Sequence, residues 1–153
     1  MKVCIGGTFN HLHKGHKLLI NKAFETAGKK GQIFIGLATG DLIYEKRDVK
    51  LFEERKKIIE EYISKEKIAI RYLIKPICNK YGPSLDEDFD AIIISPETRP
   101  TAEEINKIRK EKGKKPLQII QIPFVKADDN IPISSTRIKN KEIDKDGRVL
   151  KRD

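Results

Sequence analysis

Apolar and polar positions alternate along this chain in two rhythms. Residues 2–5 form a short apolar run that ends in Gly6-Gly7. Residues 17–27 carry Leu18, Leu19, Ile20, Ala23, Phe24 and Ala27 at helical spacing, and Gly28 suits the stop. QIFIGLA, residues 32–38, reads as a buried strand. Residues 51–63 place Leu51, Phe52, Arg55, Ile58, Ile59, Tyr62 and Ile63 on one helical face. A strand is predicted over 68–74, and AIIIS at 91–95 has the continuous apolar character of a parallel strand buried on both faces. A helix is predicted over 101–112, opened by a Thr101–Glu104 capping box and closed by Gly113. A strand follows at 117–122, then a short helix at 134–139 with Ser134 as N-cap.

Strand–helix alternation of this kind predicts an α/β fold: one Rossmann-like domain over 1–153, with a mostly five-stranded parallel sheet flanked by helices. A polar tail is expected from about residue 140. The longest irregular stretches, 40–50, 75–90 and 124–132, are of a length that often carries function. In an open parallel sheet, ligands bind beyond the carboxyl ends of the strands.

Composition narrows the classes. The chain has 153 residues, of which 38% are hydrophobic, enough for a core and against disorder. No apolar run has transmembrane length, and MKVCIGGTF does not read as a signal peptide. Cys4 and Cys78 form neither a disulfide framework nor a zinc-finger spacing, so a cytoplasmic location is expected. Lys and Arg number 32 against 23 Asp and Glu, a net charge of +9, which suggests a polyanionic partner. A Lys/Glu-rich surface of the heat-adapted kind is the alternative source of that excess.

All three histidines, His11, His13 and His16, fall in GGTFNHLHKGH, between the first strand and the first helix. Gly6 and Gly7 permit a tight turn and close backbone approach, and Gly15 removes a side chain beside His13 and His16. A metal site lacks nearby Cys or carboxylate ligands. Ordinary surface histidines fit three glycines at one junction poorly. Phosphate chemistry fits best, with imidazole N–H groups and helix-start amides facing negative charge. A second segment, IPISSTRIK at 131–139, supports it: Ser134, Ser135, Thr136 and Arg137 at a helix start suit a polyphosphate.

GTF-x-x-H-x-GH together with ISSTRI resembles the HxGH nucleotidyltransferase superfamily. Within it, CNKYGPS at 78–84, ISPET at 94–98 and KEIDKDG at 141–147 are similar to segments of phosphopantetheine adenylyltransferases of the archaeal and eukaryotic type. Position 10 is Asn where that family usually has Asp. Nicotinate-mononucleotide adenylyltransferases share GGTFN and an ISST segment and are the second candidate, although they usually carry a Trp that this chain lacks.

The resemblance implies adenylyl transfer from ATP to 4′-phosphopantetheine, giving dephospho-CoA and pyrophosphate in coenzyme A biosynthesis, with Mg²⁺ accompanying ATP. It implies that Thr8 orients the attacking phosphate, that His16 stabilises the transition state, and that Lys46 is the mobile-loop cation. Arg47 and Lys50 are neighbouring alternatives for that cation. The ATP site implied comprises Gly6, Gly7, Thr8, Phe9, His13, Gly15, His16, Arg99, Ser134, Ser135, Thr136 and Arg137. Tyr81, Gly82 and Pro83, with Thr8 and Lys46, are expected to shape the acceptor pocket, and Arg109 is expected on the helix surface. The implied partners are small molecules, with neither nucleic acid nor membrane. A basic nucleic-acid-binding module is a distant alternative, resting on the Lys107–Lys115 cluster, but basic–aromatic interleaving is lacking.

Overall fold

The computed structural model describes residues 1–46 and 48–150. Its elements are strand β1 (Lys2–Gly7), helix α1 (Lys14–Ala27), β2 (Gln32–Ala38), α2 (Phe52–Lys65), β3 (Arg71–Ile77), β4 (Ala91–Ile94), α3 (Arg99–Glu111), β5 (Gln118–Gln121) and the short α4 (Ser135–Lys139). The five strands form one parallel sheet in the order β3-β2-β1-β4-β5. The chain winds outward from β1 to β3, returns to lay β4 beside β1, and winds out again. Order reverses between β1 and β4, so a crevice opens at their carboxyl ends.

Both sheet faces are covered. Val3 and Ile5 of β1 and Ile33, Ile35 and Leu37 of β2 are almost wholly buried against α1 and α2, through Ile20, Phe24, Ile59 and Ile63. The alternate positions face the other way, where Cys4, Phe34 and Ile92 meet Ile105 and Leu117 around α3. A third cluster, Ala127, Ile133 and Ile143, anchors the C-terminal segment.

Several boundaries differ from expectation. β3 begins at Arg71 and runs through Pro76, three residues further than the predicted 68–74. Pro76 is tolerated because β3 is an edge strand, where a missing N–H breaks no second ladder. α3 starts at Arg99, with Pro100 in its first turn. Thr101 therefore lies inside the helix, no side chain caps it, and the expected Thr101–Glu104 box is absent. Glu104 turns instead to Tyr81 and Lys80. The segment after 140 is not simply a polar tail: Ile143 is fully buried, and Gly147 accepts the Asp128 N–H at 2.8 Å. Ser134 does cap α4, accepting the Arg137 N–H at 3.2 Å.

Candidate active site

The crevice floor is the segment that joins β1 to α1. Phe9 adopts a left-handed backbone (φ 50°) and tucks its ring inward, 1% exposed. A Cβ at Gly7 would come within 3.0 Å of that ring, so glycine lets the turn close over Phe9. His13 is the N-cap of α1, its Nδ1 accepting from the Gly15 N–H at 3.0 Å and facing the His16 N–H at 3.4 Å. A Cβ at Gly15 would sit 2.8 Å from the His13 ring, which explains the glycine between the two histidines. His13 and His16 stack with ring centroids 3.8 Å apart, and Phe9 backs His16 at 4.9 Å.

This packing sets the proton positions. Nδ1 of His13 accepts helix N–H groups, so its proton resides on Nε2. Nδ1 of His16 lies 2.8 Å from the His11 carbonyl, which can only accept, so this nitrogen carries the proton. The His13 N–H at 3.4 Å from the same nitrogen is then a contact without a bond. Burial, with repulsion from His11, pulls His13 down to about 4; burial, with repulsion from His13, pulls His16 down to about 3. Both rings are neutral at pH 7, and His16 presents a bare Nε2. His11 is also shifted down, by burial and by Lys50 and Lys139. Its Nδ1 is buried with no hydrogen-bond partner among the described residues.

Two cavities meet at this floor. The larger, about 770 Å³, is bounded by the histidines and by Ser134, Ser135, Thr136 and Lys139. The smaller, about 240 Å³, is mostly apolar and runs between Ile77, Tyr81, Gly82 and Pro83 on one side and Ile92, Ile94 and Ile105 on the other. Gly6, Gly7, Thr8, Lys46 and Thr98 line both. At their junction the Lys46 ammonium donates to Thr8 Oγ1 at 2.8 Å. Lys46, one of the three candidate loop cations, therefore reaches Thr8. Arg47 lies outside the described residues, and Lys50 joins the site through its peptide group.

The structure does not bring every expected residue to the cavities. Arg99 turns away to Glu103 and Gln121, at 3.1 and 2.9 Å. Arg137 pairs with Asp129 and donates to the Ile131 and Pro132 carbonyls, so it braces the 129–132 loop. Lys139, one helical turn from Ser135, lines the larger cavity instead.

Two arginines matter more than their positions suggested. Arg55 is 1% exposed and donates to Lys50 O (2.8 Å), Thr8 O (3.0 Å) and Ala38 O (2.8 Å). It ties the ends of β1 and β2 to the Lys46 loop. Arg109, expected on the surface, is 2% exposed and donates to Lys115 O, Ser84 O and Glu87 O, each at 2.8 Å. It fastens the Tyr81–Gly82–Pro83 segment to α3. Both stand on otherwise apolar helical stripes, a legible signal of buried guanidinium groups that satisfy distant carbonyls.

Among the described residues no group of three or more His, Cys, Asp or Glu could hold a metal ion. Glu97 is the single carboxylate among the described residues lining the larger cavity. Among the described residues no helix is long and apolar enough to cross a membrane.

Known proteins resemble this chain over most of its length. Residues 4–141 match the family model described as cytidylyltransferase-like. A phosphopantetheine adenylyltransferase of Methanosarcina mazei is 47% identical over 151 residues, 98% of this chain and 97% of the relative. The enzyme of that name from Methanosarcina barkeri is 48% identical over 98% of this chain and 93% of its own length. A solved structure from Archaeoglobus fulgidus, described as of unknown function, superposes with a TM-score of 0.72 at 37% identity, over 80% of this chain and 89% of its own. With the glycine–histidine crevice, the parallel sheet and these full-length likenesses in agreement, the chain belongs to the cytidylyltransferase-like family.

Proposed function

We propose that this protein is a cytoplasmic phosphopantetheine adenylyltransferase, which transfers the adenylyl group of ATP to 4′-phosphopantetheine in coenzyme A biosynthesis. One observation carries the reading: a large, histidine-floored cavity and a smaller, mostly apolar cavity share a wall at Thr8 and Lys46. A two-substrate transfer between a polyphosphate and a phosphorylated, partly apolar arm requires that junction. The names of relatives that align over almost the full chain supply the acceptor.

An oxygen of the acceptor's phosphate attacks the α-phosphorus of ATP. A new P–O bond forms, the bond from the α-phosphorus to the bridging oxygen breaks, and its electron pair leaves with pyrophosphate. The nucleophile is already an anion, so the protein supplies position and charge rather than a base. Thr8 accepts from Lys46 through Oγ1, which leaves its own hydroxyl proton to donate to the acceptor phosphate. The Lys46 ammonium neutralises charge where the two phosphates meet. His13 offers Nε2–H to the nucleotide phosphates. His16 takes up a proton at its bare Nε2 when an anion is beside it and then donates to the α-phosphate. Ser134, Ser135 and Thr136, with Lys139, border the β/γ-phosphate end.

Magnesium neutralises part of the triphosphate charge. It would enter with ATP, bound through the nucleotide's phosphates. Tyr81, Gly82 and Pro83 wall the pantetheine arm. In the basic helix region Arg109 is buried, and Lys112 and Lys114 bond to Asp86. A panel of acceptors under ATP and Mg²⁺, scored by kcat/KM, tests the reading. Phosphopantetheine should lead. Preference for nicotinate mononucleotide, glycerol phosphate or flavin mononucleotide would overturn it.

A further inference from the structure

Asn10 is 7% exposed and lies at the floor of the larger cavity. Its Nδ2 donates to Asp48 O at 3.1 Å, and its Oδ1 accepts the Lys50 N–H at 2.8 Å. A carbonyl can only accept and a peptide N–H can only donate, so the two partners dictate the amide's orientation. They also dictate its chemistry, because one short side chain must donate on one branch and accept on the other. A carboxylate does only half of this. It keeps the Lys50 N–H, leaves Asp48 O facing a second oxygen, and adds a negative charge to a cavity built for phosphates.

The neighbouring contacts give that clamp a purpose. Asp48 holds a left-handed backbone (φ 57°), uncommon for a residue with a side chain and maintained only where its surroundings over-determine it. Its carboxylate meets Lys139 of α4 at 3.0 Å. The Lys50 peptide is gripped on both sides, its N–H by Asn10 and its C=O by Arg55. The same guanidinium holds the carbonyl of Thr8, whose hydroxyl receives Lys46. The far end of the loop and the residue that Lys46 must reach are thus fastened to one framework.

We propose that Asn10 is a positioning residue: its carboxamide clamps the 48–50 backbone and thereby holds Lys46 at Thr8, where the two cavities meet. The inference rests on the adenylyl-transfer reading for its kinetic consequence, but not for the clamp itself.

The test uses Asn10→Asp and Asn10→Ala, each in the wild-type and Lys46→Ala backgrounds. The first measurement is amide hydrogen exchange of residues 48–50 in the free protein, which needs no activity. Protection of the Lys50 N–H should fall roughly tenfold in Asn10→Ala, which removes its acceptor, and less in Asn10→Asp, which keeps it, the scale set by leaving a buried backbone group unpaired. The second is steady-state adenylyl transfer. In the wild-type background Asn10→Asp should lower kcat roughly tenfold while KM for ATP changes little, and in Lys46→Ala it should cost almost nothing further. Thermal unfolding within a few degrees of wild type shows that the variants fold. Unchanged protection of the Lys50 N–H in Asn10→Ala overturns the clamp. Equal kinetic costs in both backgrounds overturn its action through Lys46. If wild type fails to use phosphopantetheine, the functional reading falls, and the exchange measurement still decides the clamp.

Discussion

Replacing Arg55 with Met removes one guanidinium and leaves three carbonyls, Lys50 O, Thr8 O and Ala38 O, without their donor. Met nearly fills the aliphatic stem's space, so the cavity contribution is small. Each unpaired buried carbonyl costs roughly 1–3 kcal/mol. Against this, Arg55 is buried with no carboxylate within 4.0 Å among the described residues, and removing that charge recovers part of its desolvation. The net loss is about 3 kcal/mol. In a domain of this size that lowers Tm by roughly 6–12 °C. Arg109→Met is the control: it strands two carbonyls, Lys115 O and Ser84 O, while Glu87 O keeps the Phe89 N–H at 3.0 Å. Arg109→Met should lose somewhat less stability, and the two variants should differ in kinetics. Arg55→Met should lower kcat, because Thr8 and the Lys46 loop lose their common anchor. Arg109→Met should chiefly raise KM for the acceptor, because the Tyr81–Pro83 wall loosens. Calorimetry with two-substrate kinetics reads both. A Tm shift under about 2 °C for Arg55→Met, or identical kinetic signatures, would refute the reasoning, since 2 °C is less than one unpaired carbonyl predicts.

Four other outcomes follow from the site. Gly15→Ala should cut kcat/KM by roughly a hundredfold, because its methyl group pushes the His13 ring off the helix start and a small misplacement is costly; unchanged kinetics would contradict the packing. In the free protein, NMR titration should show His13 near 4 and His16 near 3, with His16 rising when ATP binds; midpoints near 6.5 would contradict the buried, neutral pair. The same depression makes the native state more stable above pH 6.5, where unfolded histidines are neutral too, and stability should fall as pH drops from 6.5 toward 4 and 3 because the unfolded chain binds the protons; chemical denaturation of wild type against His13→Gln across that range checks the sign. Tyr81→Phe should raise KM for the acceptor several-fold with kcat kept, because the Tyr81 hydroxyl is bonded to Glu104 at the cavity wall.

The local features of this fold were the ones visible in the residues. The glycine–histidine segment could be read because its chemistry is contiguous: a turn, a cap and a crevice floor within eleven residues of chain. Ser134 could be read for the same reason, as its partner is three residues away. The Thr101–Glu104 pattern misled because Pro100 starts the helix earlier and Glu104 has a stronger partner in Tyr81, about twenty residues back. β3 slid by three residues because its register is set by pairing with β2 at an edge, and the local pattern stopped at Pro76. The roles of Arg55, Arg109 and Asn10 depend on backbone carbonyls and amides from other segments. Nothing in a side-chain pattern encodes those partners, although an arginine on an apolar stripe does announce that one is needed. Arg99 and Arg137 show the converse, since cations beside expected phosphate motifs found carboxylates and carbonyls first.

The central claim is that the Thr8–Lys46 junction joins a phosphorylated acceptor to the α-phosphate of ATP, with His16 stabilising the transition state. The most direct measurement is mass-spectrometric detection of dephospho-CoA, together with released pyrophosphate, from ATP, Mg²⁺ and 4′-phosphopantetheine, in wild type beside His16→Ala. The account predicts the two products in equal amounts from wild type and a fall of at least about a hundredfold in the variant, the scale for losing one donor at a developing charge. Pyrophosphate without dephospho-CoA, or equal turnover by His16→Ala, would contradict it.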